Sequence, residues 1–387
     1  MAIPRAEDDD RVTNLELFFD LVFVFAITQV TGLMAHHPTW AGLAQGMLVL
    51  SALWFAWASY AWLTNTIDPE EGGVRLAIFA AMAALLVASL AVPEAFGDDA
   101  VVFGVAYLLV RILHIALYTL AGQGDRDLLA VTRRLAGPML TGAVLILIAG
   151  FTDGALQYVL WIVAVALDVG GPLVRGVTGW RLNPHHFAER HGLIIIIALG
   201  ESIVAVGVGF AGEELTASVI ACAVLGTAVA SSLWWAYFDV VAPVAARRLA
   251  ARTGVDRARN ARDSYTYLHL PMVAGIVLFA LGVKKTLEHV DEPLKIIPAV
   301  ALCGGLSLYL LAHIAFRLRN VGSLNRQRLV TALVLAALIP VVHRVDALVG
   351  LTIVTVVCCG LIAYEAIRFR VARDRIRHPQ PEVAVSS

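Results

Sequence analysis

Charge is scarce in this sequence. Only 15% of its 387 residues are Asp, Glu, Lys or Arg and 59% are hydrophobic, against about 25% and 45–50% in ordinary soluble domains. Water is thereby excluded as the solvent for most of the surface. Net charge is nearly absent as well: 29 Lys and Arg face 30 Asp and Glu, so no global field recruits nucleic acid. Cysteine is rare, and Cys222, Cys303, Cys358 and Cys359 all fall inside apolar runs, which argues against a disulfide framework or a thiolate metal site. There is no glycine-rich nucleotide loop, serine nucleophile elbow or Cys-x-x-Cys motif, so neither an enzyme nor a cofactor is expected. The first residues include Glu7, Asp8, Asp9 and Asp10, the wrong charge for the basic region of a cleaved signal; the first apolar run is expected to stay and direct insertion.

What is present is a succession of apolar runs. Hydrocarbon about 30 Å thick needs roughly 20 apolar helical residues, because backbone groups left unpaired in lipid cost several kcal/mol each. Twelve runs qualify, at 14–35, 40–63, 74–92, 100–121, 135–150, 155–173, 191–210, 215–238, 266–284, 294–316, 328–345 and 347–367, the fifth and eleventh being the shortest. Turn-forming breaks such as His37-Pro38, Asp68-Pro69, Gly122-Gln123-Gly124 and Pro293 separate them. Lys and Arg alternate with the loops: 24 of the 29 fall on the side that holds both termini. By the positive-inside rule that side is cytoplasmic.

Self-similarity near half length divides the chain. Ser51-Ala52-Leu53-Trp54-Phe55-Ala56-Trp57 recurs as Ser231-Ser232-Leu233-Trp234-Trp235-Ala236-Tyr237, 180 positions on. His114-Ile115-Ala116 recurs as His313-Ile314-Ala315, and Asp20 falls on Glu201. The expected fold is all-α and membrane-integral, with about twelve transmembrane helices as two parallel six-helix repeats, 14–173 and 191–367. A cytoplasmic segment 1–13, a connector 174–190, a basic cytoplasmic loop 242–265 and a disordered basic tail 368–387 complete it.

Leu15-Glu16-Leu17-Phe18-Phe19-Asp20-Leu21-Val22-Phe23-Val24-Phe25-Ala26-Ile27 resembles the opening signature of the bacterial low temperature requirement A family. His186-Phe187-Ala188-Glu189-Arg190-His191-Gly192, running into Leu199-Gly200-Glu201-Ser202, resembles that family's second signature, and the likeness extends through Tyr267-Leu268-His269 to Lys284. It implies a multi-pass membrane protein linked by name to growth in the cold, with no established substrate. The first helix is also similar to that of lysosomal-type potassium channels, from which it departs at Phe19 and Leu21 and in lacking an Arg beside the motif. Those departures count against a potassium pore.

Ionisable residues within lipid are costly, and those present cluster. The candidate solute- or ion-binding residues are Asp20, Glu201, Arg111, His114, Glu16, Asp168, Glu189, His191 and Ser202. Glu16 and Asp20 lie four apart on one helical face and repel unless one is protonated or a cation sits between them. Thr13-x-x-Glu16 also reads as a capping box. Glu201 sits among Gly200, Gly207 and Gly209, which would let a neighbouring helix approach, and its alternative role is a fixed pair with Arg111. His185, His186 and Glu189 have ligand spacing, but Arg190 disfavours a cation there and no metal is expected. Trp54, Phe55, Trp57, Tyr60 and Trp62 read as an interfacial belt, with a cation-π lining as the alternative. The resulting expectation is a secondary transporter or ion-coupled permease of the cytoplasmic membrane whose site lies between the halves, with Asp20 and Glu201 sharing one cavity beside Arg111 or His114. A cation channel and a non-transporting scaffold or sensor are the alternatives. Membrane lipid, a small solute, and H+ or another cation are the expected partners, with no nucleic acid; a homo-oligomer is compatible.

Overall fold

The chain forms helices wherever the apolar runs predict them. In the computed structural model, which describes residues 11–180, 182–209 and 215–377, the first half consists of α1 (Asn14–His36), α2 (Trp40–Thr64), α3 (Gly72–Leu90), α4 (Ala100–Ala121), α5 (Arg126–Ala149) and α6 (Gly154–Arg175). The second half begins with α7 (Pro184–Gly209), α8 (Ala217–Phe238), α9 (Val241–Ala250) and α10 (Gly254–Asn260), then a π-helical stretch, Ala261–Tyr267, that runs into α11 (Leu268–Glu288). It continues with α12 (Ile296–Ala299), a second π-helical stretch (Val300–Gly304), α13 (Gly305–Val321), α14 (Arg326–Ala337), α15 (Ile339–Val342), α16 (Ala347–Arg368) and α17 (Arg370–Arg377). Side-chain caps start several helices: the hydroxyls of Thr39 and Thr216 and the side-chain oxygen of Asn325 accept from backbone N–H groups three residues on.

Among the described residues eleven helices are long and apolar enough to cross a membrane. The eleventh expected span is the exception to the count of twelve, because α14 has only 12 residues, about 18 Å at 1.5 Å per residue. The chain turns at Leu338 and resumes as α15. Pro340 accounts for the break, since its ring clashes with the carbonyl of Ala336 and it has no N–H to offer. Two other expectations also change. The connector is shorter than 174–190, for α7 already starts at Pro184, and the tail is helical over Arg370–Arg377. The expected disorder from His378 onward and the segment before Arg11 lie outside the described residues.

Large apolar side chains such as Leu76, Leu90, Val105, Val159 and Val356 point outward, as a lipid-facing surface requires. Inside, helices approach closely where side chains are absent. A Cβ on Gly275 would lie 2.6 Å from the Gly305 carbonyl, and one on Gly305 2.7 Å from the Gly275 carbonyl, so α11 and α13 cross backbone to backbone. The approach expected at Gly200 and Gly207 does not occur there; nothing lies within 4 Å of either.

Each half is a ring of neighbours in the same order. In the first half α1 packs on α2 and α3, and the contacts continue α3–α4, α4–α5, α5–α6 and α6–α2. In the second, α7 packs on α8 and α11, followed by α11–α13, α13–α14, α14–α16 and α16–α8. The halves meet chiefly where α1 lies against α7 and α11.

Candidate functional site

The junction of the halves is built on the start of α1. The Thr13 hydroxyl accepts from the Glu16 N–H at 3.3 Å while the Glu16 carboxylate accepts from the Thr13 N–H at 2.9 Å, the reciprocal capping box read from the sequence. Asp20 follows one turn on, and Arg190 of α7 reaches between the two carboxylates. Its guanidinium donates to Glu16, to the Thr64 hydroxyl at 2.8 Å and to Asp20 Oδ1 at 2.9 Å. Trp57 Nε1 donates to the same Asp20 oxygen at 2.8 Å. Asn65 Nδ2 lies 2.9 Å from His186 Nδ1 and can only donate, so His186 Nε2 carries the proton it directs at Glu16, 3.0 Å away. The cation required between Glu16 and Asp20 is the chain's own guanidinium. Only a void of about 10 Å³ remains beside it, one water at most.

Glu201 is elsewhere. It accepts a hydrogen bond from Thr28, eight residues along α1 from Asp20 and therefore about 12 Å deeper. Among the described residues it makes no ion pair, and Lys284 attracts it only at longer range. The Ser202 hydroxyl turns back onto the Leu199 carbonyl at 2.6 Å. Asp20 and Glu201 thus lie along one helix interface at different depths, in separate surroundings; neither contacts Arg111 or His114.

Arg111 belongs to a third assembly, inside the first half. It pairs with Asp168 of α6, and its Nη1 donates to the Phe55 carbonyl at 3.1 Å and the Ser59 hydroxyl at 2.9 Å. The Tyr107 hydroxyl lies 3.1 Å from the second Asp168 oxygen. His114 Nε2 lies 3.0 Å from the Ser59 carbonyl, which can only accept, so that nitrogen carries the proton. Beside this cluster opens a cavity of about 70 Å³, room for several waters at about 10–15 Å³ each on the same measure. Arg111, His114 and Asp168 form its polar floor, and α5 side chains such as Val131, Leu135 and Met139 form an apolar wall.

Two prolines line the cavity. They are Pro138 in α5 and Pro172 in α6, and each deprives the carbonyl four residues earlier of its helical donor. The carbonyl freed by Pro138, that of Arg134, is taken by Arg175 at 2.9 Å. The rim comes from the second half, where the first π-helical stretch turns Arg262 and Thr266 toward the cavity. Such widened turns are frequent at functional sites. Trp54 Nε1 donates to the Thr266 carbonyl at 2.8 Å and Trp62 Nε1 to its hydroxyl at 3.0 Å, clasping rim to ring.

These bonds overturn the reading of the α2 aromatics as an interfacial belt. Trp54, Phe55, Trp57, Tyr60 and Trp62 are all buried, because their polar atoms serve Asp20, Thr266 and the Val110 carbonyl. Trp234 and Trp235 of α8 do face outward. His191 packs in an aromatic nest of Trp57, Tyr265 and His269, its Nδ1 2.9 Å from the Phe187 carbonyl. Glu189 is exposed, near the Val12 N–H at 3.4 Å, while His186 points inward from the same turn. Among the described residues no group of His, Cys, Asp and Glu could hold a metal ion.

Three buried arginines stand where loop charges were expected: Arg190, Arg262 and Arg328 fall in or beside cytoplasmic loops by the distribution of Lys and Arg, yet all three are buried, as Arg111 is. Arg190 could have been found from its place in the second signature, between Glu189 and His191. Arg328 grips Glu365 through two bonds of 2.9 and 2.7 Å and also donates to the Ala236 carbonyl at 3.0 Å.

An apolar exterior around buried, paired charges defines a polytopic α-helical membrane protein. Residues 11–363 match the bacterial low temperature requirement A protein (LtrA) family, and the chain belongs to it. It is 32% identical over 320 residues to an uncharacterized protein of Rhizobium meliloti (strain 1021), covering 78% of this chain and 76% of that one. No solved structure matches the chain.

Proposed function

We propose that this chain is a secondary transporter or ion-coupled permease of the bacterial cytoplasmic membrane, and that its solute site is the cavity above Arg111, Asp168 and His114. The observation that carries this reading is the cavity itself: a membrane-embedded space with apolar walls, a buried ion pair at its floor and a rim supplied by the other half of the molecule. Sites of this kind bury an apolar body and orient it through a few polar groups. Ionisable residues inside a membrane bundle mark substrate and ion pathways, and a buried ion pair by itself adds little stability over apolar substitutes.

Coupling falls to Glu201, the deep carboxylate with a hydroxyl partner and no ion pair among the described residues. Asp20 is a poorer choice, since Arg190 and Trp57 already hold it. Both termini lie inside the cell in this reading, in accord with the distribution of Lys and Arg, and the family name supports a role in growth at low temperature. A scaffold role draws on the closed Glu16–Arg190–Asp20 network, which joins the halves with little room for a guest.

Purified protein in proteoliposomes, screened for uptake against a broad solute panel, tests the reading. Saturable uptake that Asp168→Asn abolishes and Glu201→Gln makes insensitive to pH is the expected result. Single-channel current instead of saturation, or uptake that survives Asp168→Asn unchanged, overturns it.

A further inference from the structure

The charges around the cavity do not balance. At the floor Arg111 and Asp168 neutralise each other. At the rim a single carboxylate, Asp263, serves two guanidiniums: Arg262 at 2.6 Å and Arg319 at 3.1 Å. Of the charged side chains that line the cavity two are guanidiniums, Arg111 and Arg262, and one is a carboxylate, Asp168, while Asp263 stands behind the lining. Outside the cavity the neighbouring ends of α5 and α6 carry Arg126, Arg133, Arg134 and Arg175 against Asp125 and Asp127. The space above the floor is walled by aliphatic side chains and by Trp62 and Trp180, whose rings lie 4.1 Å apart between centroids.

We infer that the cavity binds a small organic monoanion with an apolar body, its carboxylate or equivalent acid group taken by Arg262 and its body lodged against α5 and the tryptophans. This rests on reading the cavity as a solute site and adds the class of solute. An anion entering an apolar space needs a cation that can leave its present partner at little cost. Arg111 cannot, because releasing Asp168 strands a buried carboxylate. Arg262 can, because Asp263 released by it remains paired with Arg319. A guanidinium also matches a carboxylate with two parallel donors. Arg262 already spends Nη1 on the Pro172 carbonyl at 2.9 Å and Nε on Asp263 at 2.8 Å, so the bond to Asp263 is the one exchanged. A cationic solute would instead meet Arg262 with no free carboxylate at the floor.

Three one-ring probes of similar size, benzoate, benzylammonium and benzyl alcohol, test the inference on the full-length protein in detergent, read by quenching of tryptophan fluorescence. Trp180→Phe identifies the part of the signal that arises in the cavity. Benzoate is expected to bind saturably and at least about tenfold more tightly than either of the others, by the charge complementarity of the rim. Arg262→Gln should remove that preference, Arg262→Lys should keep part of it, and Arg248→Gln, on the exposed face of α9, should leave it intact. Leu135→Phe, which fills the wall, should weaken all three probes together. Benzylammonium binding as tightly as benzoate, or benzoate binding unchanged in folded Arg262→Gln, overturns the inference; should that variant not fold, the wild-type order of the three probes decides. Selective benzoate binding without uptake in proteoliposomes upholds the anion site and removes the permease reading. Uptake of solutes regardless of charge does the reverse.

Discussion

In the first half Arg111 leans from α4 onto the Phe55 carbonyl of α2 and pairs with Asp168 of α6; in the second, Arg328 of α14 bonds the Ala236 carbonyl of α8 and pairs with Glu365 of α16. Phe55 and Ala236 are 181 positions apart. One turn earlier, Ala52 and Leu233, also 181 apart, each offer a carbonyl to a tyrosine hydroxyl, from Tyr107 at 3.2 Å and Tyr309 at 2.8 Å. The surroundings differ. Arg328 is saturated by two bonds to Glu365 and one to His313, and the nearby space lined by Ala236 is about 10 Å³. Arg111 sits under about 70 Å³. One anchor thus serves as a packed frame and the other as the floor of a site lined by the prolines of α5 and α6.

Truncating the packed anchor should have the largest effect. Arg328→Ala leaves Glu365 buried without its cation and is expected to cost about 3–5 kcal/mol, measured by thermal unfolding in detergent. Arg111→Ala strands Asp168 as well, but the cavity can admit water to it, so a smaller loss of about 1–3 kcal/mol is expected. Equal losses would break the contrast between frame and floor.

Replacing each pair as a unit sharpens the same contrast. Arg328→Met with Glu365→Leu should fold nearly as well as the parent, because apolar substitutes of similar size escape the desolvation penalty, and should keep uptake. Arg111→Met with Asp168→Leu should also fold but lose uptake altogether. Retained uptake in the second double variant would move the site away from the cavity.

An effect comparable to that at Arg111 is expected at the junction between the halves. Trp57→Phe removes one donor from Asp20 and should cost about 1.5–3 kcal/mol, the range for a hydrogen bond to a charged group, with solute affinity unchanged because the cavity is separate. Smallest in stability is Glu201→Gln, which still offers Thr28 an oxygen; a change within about 1 kcal/mol is expected. Its signature is the loss of pH dependence of uptake between vesicles held at different pH.

Much of the architecture was legible because it is local. A span is long and apolar over consecutive residues, so composition alone places α1 through α8, α11, α13 and α16. The capping box at Thr13 and Glu16 needs only three-residue spacing. The broken eleventh span is, with the fifth, among the shortest of the twelve runs and contains Pro340, so the cause of its break was also in view.

Partner choice was not legible, because it depends on which helices touch and at what height. Asp20 and Glu201 occupy matching sequence positions, yet α1 and α7 lie in a register that sets Asp20 beside Arg190 and Glu201 beside Thr28. Arg190 and Arg328 lie near helix ends, where hydropathy cannot tell a guanidinium reaching out to water from one folding inward onto a carboxylate. The cavity follows the same logic: each proline is visible in the sequence, but only the packing of α5 on α6 sets Pro138 against Gly171, where an added Cβ would lie 3.5 Å from the proline ring. The sequence by itself determined a helical bundle for lipid and the charges it must bury. Tertiary structure alone decided which charges neutralise one another and where space is left over, since pairing in a low-dielectric interior depends on contacts of a few ångströms between residues distant in the chain.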